Sequence, residues 1–428
     1  MKKNRLLRAL ISGALSAACA MNTLASTSCS GFEPTAEIVN KDGADAVVTF
    51  VIDDGNHPTA TFSKSMMEKY ENLTFTYALW TKDFGTLATS VDGSEYLMQN
   101  GKYVYTQNEK QLENQIFWWD ILKNGRSEVV SHSHTHQFWG TNDDGGEFEY
   151  VKNNESTVSK ATMPKGSVSK EIYASMQILR EVFPQNRFPN QRYISFILPG
   201  IGVRTSDYTT ADGKTVTTYN KYFNTLFSKA VQRDEYIGAR STFQVKNTSD
   251  SASKVVLPES LRSVSSRTAV PAYMIVDGNK GANGVENWTA FIDHAVEKGG
   301  WACYCIHNIL TAPGGHYILE EDAEALFAHT SGKNIWVATF TDAMLYYCQW
   351  STATVKASYS GGAISVTVTD KENDEVFDAP LTVKVSVPEK WTSAVCYGES
   401  LQIHEDNNGK FVYVNIVPDS AAVEITEN

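Results

Sequence analysis

Ala46-Val47-Val48-Thr49-Phe50-Val51-Ile52 runs straight into Asp53-Asp54-Gly55. A run that is apolar on both faces marks a strand inside a parallel sheet, because an antiparallel strand with one wet face would alternate. Polar loops at the carboxyl ends of such strands are where α/β folds place their chemistry. Outward from this stretch, strands and helices alternate as far as Trp350. Leu73 to Leu79 reads as strand. Asn108 to Lys123 reads as helix, with Leu112, Ile116, Trp119 and Leu122 at helical spacing and Gly125 placed to end it. Glu128 to Ser131 is strand, Glu171 to Phe183 helix, and Tyr193 to Leu198 strand. Asn287 to Lys298 is helix and leads into the strand Trp301 to Ile306. Glu320 to His329 and Asn334 to Thr339 make one more helix and strand. This order predicts crossover units and a mostly parallel sheet, closed or open.

Two stretches, residues 140–170 and 205–285, do not fit the alternation. They are rich in Ser, Thr, Asn, Asp and Gly and read as insertions that either wall a cleft or decorate the surface. After Trp350 the rhythm changes to period two, as in Ile364, Val366 and Val368 or Leu381, Val383, Val385 and Val387. Residues 351–428 are therefore expected to form a small all-β sandwich, and residues 31–350 the α/β domain.

The chain has 428 residues, 42% of them hydrophobic, which is enough apolar material for a large core and excludes a disordered chain. Its 37 Lys and Arg against 49 Asp and Glu give a net charge of −12, the wrong sign for a phosphate-backbone binder. No nucleic-acid partner is expected. Residues 1–30 read differently: Lys2, Lys3, Arg5 and Arg8 precede a short apolar stretch, with Ala18-Cys19-Ala20 and Thr23-Leu24-Ala25 as small-residue cleavage points. That is a secretory signal. The expectation is an exported protein, whether secreted, periplasmic or at the cell surface, without a membrane span; a lipid anchor at Cys19 or Cys29 is the alternative tether. Cys303 and Cys305, two apart on one strand, read as small buried hydrophobes rather than a disulfide.

The chemistry gathers at strand ends. His132-Ser133-His134-Thr135-His136 places three of nine histidines in five residues directly after a strand. Two imidazoles and one carboxylate make a metal site with positions left open for water and substrate. His132 and His136 can take that carboxylate from the Asp53-Asp54 pair, leaving the other aspartate as a base. His307 ends the strand Trp301 to Ile306 and can reach the same place as a general acid.

These segments together resemble the polysaccharide deacetylases of carbohydrate esterase family 4. Val51-Ile52-Asp53-Asp54-Gly55 is similar to their first motif, and His132-Ser133-His134-Thr135-His136 matches the second. Phe196-Ile197-Leu198-Pro199-Gly200 resembles the third and Ile306-His307 the last, so the resemblance spans about residues 45–350. It implies a distorted, partly open (β/α) barrel. It also implies Asp53 as general base, Asp54, His132 and His136 as ligands of a divalent metal, and His307 as acid. The metal would be zinc first, with cobalt or nickel as alternatives. A backbone N–H near Pro199-Gly200 would face the oxyanion. The third motif lacks its usual arginine, with Ile197 or Leu198 in its place; Arg240, or failing that Arg204, is the candidate to enter from elsewhere. The fourth motif has only loose matches at Asp277 and Asp293. The implied activity is hydrolysis of acetyl groups on a carbohydrate, first the N-acetyl groups of an N-acetylhexosamine glycan. Alternatives are O-acetyl esterase action on a plant polysaccharide such as xylan, an inactive glycan-binding protein on the same fold, and a glycan-binding role for the sandwich alone.

Overall fold

Every residue of Ala46–Ile52 (β1) is buried, and the barrel is arranged around this strand. The computed structural model describes residues 31–136, 143–151, 158–191, 195–199, 208–209, 215–216, 220–243, 251–275 and 284–428. Within them β1 is joined in parallel by Thr76–Leu79 (β2), Glu128–Ser131 (β3), Phe196–Ile197 (β4), Ala239–Phe243 (β5), Val270–Met274 (β6) and Trp301–Ile306 (β7). β7 lies against β1 from Trp301↔Val47 to Ile306↔Ile52, so the ring of seven strands is closed rather than partly open. Its distortion sits on the other edge of β1. There Ile335–Val337 (β8) pairs with Ala46–Val48, while β2 pairs only with Val51 and Ile52.

Helices His57–Lys69 (α1), Glu109–Leu122 (α2), Ser169–Val182 (α3), Asn220–Gln232 (α4), Val285–Lys298 (α5) and Glu320–Ser331 (α6) cover the ring. Ala46, Val48, Phe50 and Ile52 of β1 and Ala302, Tyr304 and Ile306 of β7 belong to the core packed against them. Strand residues alternate sides. Thr49 and Val51 therefore face the barrel axis, and Asp53 follows them inward; Cys303, Cys305 and then His307 do the same from β7.

The far end of the barrel is plugged. Phe340–Thr352 (α7) starts beneath β2, β3 and β4: Phe340 N donates to Thr76 Oγ1 at 2.8 Å, Thr341 N to Glu128 Oε1 at 2.9 Å, and the Thr341 and Ser195 hydroxyls meet at 2.8 Å. Trp301 closes the interior above it, its Nε1 donating to Thr49 Oγ1 at 3.0 Å. The open end is the carboxyl end of the strands.

Residues 34–428 form one compact unit. Two antiparallel sheets follow the barrel. One joins Thr354–Ser360, Ala363–Thr369, Val423–Thr426, Ala394–Cys396 and Glu399–Leu401; the other joins Leu381–Ser386, Gly409–Ile416 and His404–Asp406 with Ala36–Ile38 from the start of the chain. Ile364, Val366 and Val368 are buried as their alternation predicts. A bidentate pair, Arg267 Nη1 and Nη2 to Glu372 at 2.8 and 2.6 Å, and Tyr346 Oη to the Val39 carbonyl at 2.6 Å fasten sheets to barrel.

Several sequence expectations need correction. The stretch 205–285, read as an insertion outside the alternation with a local hairpin at Tyr208 to Tyr219, supplies α4, β5 and β6 besides the paired Tyr208–Thr209 and Thr215–Val216. Its strands were hidden because β5 faces the barrel axis with Arg240 and Thr242, and β6 contains Pro271, which has no N–H for a ladder. The stretch 140–170 holds an antiparallel hairpin, Gly146–Val151 with Val158–Met163, before α3 begins. In α2 the buried face is Trp118, Ile121 and Leu122, whereas Leu112 and Ile116 are exposed at 45% and 62%. Tyr193 lies outside the described residues. Among those described, no helix is long and apolar enough to cross a membrane.

Glu128 sits at the plugged end, with Oε1 accepting from Thr76 Oγ1 and Thr341 N and Oε2 buried without a partner among the described residues. Burial, reinforced by Asp342, pushes its carboxyl up from 4.5 to about 8. The unfolded chain therefore releases this proton between pH 4.5 and 8 while the folded chain keeps it, and stability falls as pH rises through that window. The unfolding free energy from urea titrations should fall further from pH 5 to pH 8 for the wild type than for Glu128→Gln, by at most about 1.4 kcal/mol per pH unit. Identical pH dependence in both proteins would mean that the buried carboxyl is already ionised.

Candidate metal centre and active site

β1 ends in a tight turn with Asp54 at φ 68° and Gly55 at φ 66°. A Cβ on Gly55 would also stand 3.1 Å from Leu79. Left-handed backbone at a non-glycine residue costs about 1–3 kcal/mol, and the turn uses it to send consecutive carboxylates to different partners. The His132–His136 turn carries the same strain twice, at Ser133 (φ 69°) and His136 (φ 61°).

His132 Nδ1 lies 2.9 Å from the carbonyl oxygen of Ile197 in β4. A carbonyl only accepts, so Nδ1 holds the ring proton and Nε2 presents a lone pair. That lone pair faces Asp54 Oδ1 at 3.3 Å, and His136 Nε2 is 3.9 Å from the same oxygen. Lone pairs converging on a carboxylate oxygen repel unless a cation lies among them. Asp54 Oδ1 is buried and has no hydrogen-bond partner among the described residues. One ligand atom from each of Asp54, His132 and His136 falls within 4.8 Å of the others. Burial, and then His132, push the His136 ring down to about 4, so it stays neutral as a ligand must. Burial works against ionisation of Asp54, but the neighbouring histidines, where protonated, outweigh it and hold the carboxyl well below its usual range. One carboxylate and two imidazoles with open positions fit a divalent ion of the zinc type.

Asp53 belongs to a separate polar set beside this one. Its Oδ2 accepts from Arg240 Nη2 at 2.7 Å and from Cys305 Sγ at 3.5 Å. The Nε2 atoms of His132 and His307 lie 3.8 and 3.9 Å from that oxygen. Its Oδ1 is buried and has no hydrogen-bond partner among the described residues. Burial disfavours the charge on Asp53, yet Arg240 and then the two histidines outweigh it and lower the carboxyl below its ordinary value. Burial pulls His307 below the usual histidine range, against the opposing pull of Asp53 and Asp54.

Of the residues named from sequence, the structure thus brings Asp53, Asp54, His132, His136, His307 and Arg240 together at the open end of the barrel. Pro199 is buried just beyond β4. Gly200, Arg204 and Asp277 lie outside the described residues. Asp293 is away from the site, on α5, bonded to His329 and Lys333 at 2.9 and 3.0 Å. His134 does not join His132 and His136: its Nδ1 meets Thr81 Oγ1 at 2.9 Å, and burial pushes it down to about 4. Sequence reading missed Cys305 as a partner of Asp53, although it shares the inward parity of His307 on β7. Trp80 stands beside His136, ring centroids 4.9 Å apart. A cavity of about 660 Å³ lined by Gly55, His57, Lys82, Asn108, Asn114 and Phe117 opens next to the turn.

No family model matches the chain. It is 27% identical over 214 residues to a gellan lyase from Bacillus sp; the match takes in 46% of this chain and spans 8% of that relative's length. Among solved structures, a mutant of the peptidoglycan deacetylase PdaC from Bacillus subtilis aligns over 70% of this chain and 89% of its own, at 12% identity and a TM-score of 0.31. A mutant CE4 family pseudoenzyme with restored enzymatic activity aligns over 70% and 67%, at 12% identity and a TM-score of 0.30. A GH30 endoxylanase from Clostridium papyrosolvens aligns over 92% and 98%, at 8% identity and a TM-score of 0.36. With superpositions this loose, the functional reading rests on the side chains of the site.

Arg240 and Asp53 are both almost fully buried, so removing one leaves the other's charge uncompensated. Arg240→Met should destabilise the fold by about 3–5 kcal/mol in denaturant titrations. Adding Asp53→Asn should recover part of that loss, because no lone buried charge then remains. Strictly additive losses would show that the two groups do not compensate each other.

Proposed function

We propose that this chain is a divalent-metal-dependent hydrolase that removes acetyl groups from a carbohydrate outside the cytoplasm. The N-acetyl groups of an N-acetylhexosamine glycan are the preferred substrate. The observation that carries this reading is the pairing of two carboxylates in one turn with different surroundings. Asp54 converges with His132 and His136, while Asp53 is held by Arg240 within 4 Å of both His132 and His307. Export is read from the basic and then apolar residues 1–25.

Asp54, His132 and His136 would hold the ion, which when bound supplies acidification of water and polarisation of the acetyl carbonyl. The protein's residues do the rest. Arg240 and Cys305 fix Oδ2 of Asp53, and its Oδ1, which no described donor reaches, is the lobe that takes a proton from the attacking water. His307, its Nε2 3.9 Å from Asp53 Oδ2, delivers a proton to the departing nitrogen or oxygen and regains one from solvent, while Asp53 returns to solvent the proton taken up at Oδ1. The cavity beside Gly55, walled by Lys82, Asn108 and Asn114, offers polar groups of the kind that hold sugar hydroxyls.

Acetate release from N-acetylated and O-acetylated oligosaccharides, with the protein stripped of metal and resupplied with zinc, cobalt or nickel, tests this directly. Acetate should appear only with metal, and first from the N-acetylated set. Asp53→Asn should lower kcat by roughly 10²–10⁴-fold while the metal stays bound. Release that needs no metal, or that survives Asp53→Asn undiminished, would rule the mechanism out. Stoichiometric metal with no acetate from any substrate would favour a glycan-binding role.

A further inference from the structure

The His132–His136 turn is strained, and the structure shows what holds it from behind. Glu171, in the first turn of α3, is fully buried. Its Oε2 accepts from the backbone N–H of His134 at 2.9 Å and of Thr135 at 2.7 Å, and its Oε1 accepts from Thr135 Oγ1 at 2.5 Å. Lys170, itself 4% exposed, pairs with the same carboxylate and donates to Thr135 Oγ1 at 3.2 Å. Burial opposes ionisation of Glu171, but Lys170 overcomes it and keeps the carboxyl below its ordinary value. Other polar groups of the turn are tied too. Thr81 N and Lys82 N donate to the Ser133 and His134 carbonyls at 3.2 and 3.0 Å, Ser133 Oγ accepts from His136 N at 2.8 Å, and Ser131 Oγ from Ser133 N at 3.2 Å.

We infer that Glu171 is a positioning residue for the metal centre, acting through the backbone of His134 and Thr135 to set the separation of His132 and His136. The inference rests on the metal reading above. Two amides that lie between the ligands in sequence, one buried and one half-buried, point at one carboxylate. Without it they would be left unsatisfied or would turn to find other partners. Either change moves His136, whose left-handed backbone is held by its surroundings rather than by its own preference. Groups that orient ligands in this way typically contribute roughly 10–100-fold to metal affinity.

The test is cobalt affinity of the full chain, measured by chelator competition on protein freed of metal. Glu171→Ala should raise Kd for cobalt by roughly 10–100-fold. Lys170→Met with Glu171→Leu should do the same while removing the buried charge pair altogether, so a folded protein is secured even if the alanine variant fails to fold. Lys170→Met with Glu171→Gln keeps an oxygen for both amides and should stay within a few-fold of wild type. Arg267→Ala, which loosens a distant ion pair, should lower the thermal midpoint without changing cobalt affinity. Folded Glu171→Ala or Leu variants that bind cobalt as wild type does would overturn the inference and leave the metal reading standing. A wild type that takes up no cobalt would overturn both.

Discussion

A carboxylate at the mouth of an apolar barrel is tolerable only with a counter-charge, and for Asp53 that charge is Arg240, delivered from β5 across the barrel interior at 2.7 Å. Much else follows from that pair. The guanidinium occupies the barrel axis, so β5 must be a strand whose inward positions are polar. The bond fixes one oxygen of Asp53, which lets the next residue, Asp54, turn the opposite way toward His132 and His136. Plugging the other end with α7 and Trp301 leaves a single wet end for chemistry.

The two aspartates show how adjacency can separate roles. Both are drawn below the ordinary carboxylate range, Asp53 chiefly by a permanent cation and Asp54 by imidazoles. Arg240 bonds Oδ2 of Asp53, which disfavours a dication at that same oxygen. Asp54 has no such rival, although its Oδ1, like Oδ1 of Asp53, has no hydrogen-bond partner among the described residues. On the proposed reading, the division of labour between a proton acceptor and a ligand is thus set by which strand supplies each partner.

Much of this was legible in the sequence where one residue type could do only one thing. β1 and β7 were plain because apolar residues on both faces leave only a buried parallel strand, and the strand at Trp301–Ile306 has the predicted bounds. The histidine cluster was plain because such density after a strand is rare by chance. His132 and His136 were singled out within it, but nothing local says that His134 turns to Thr81. β5 was unreadable because its inward residues Arg240 and Thr242 are polar, and β6 because Pro271 lacks an N–H for the ladder. Cys305 looked like a small apolar residue until the register placed it beside Asp53. Glu171 carried no signal at all: a helical glutamate reads as solvated surface, and only the packing of α3 behind the turn shows its carboxylate turned inward.

The central claim is that Asp54, His132 and His136 hold one divalent ion while Asp53 stays clear of it. Anomalous diffraction recorded on both sides of the zinc absorption edge, from crystals grown with zinc, tests it most directly. The prediction is one peak at about 2.0–2.2 Å from a carboxylate oxygen of Asp54 and from Nε2 of both histidines, with Arg240 still bonded to Asp53. An empty site would contradict the claim. So would an ion held instead by Asp53, Cys305 and His307, whose donor atoms also lie within 4.8 Å of one another.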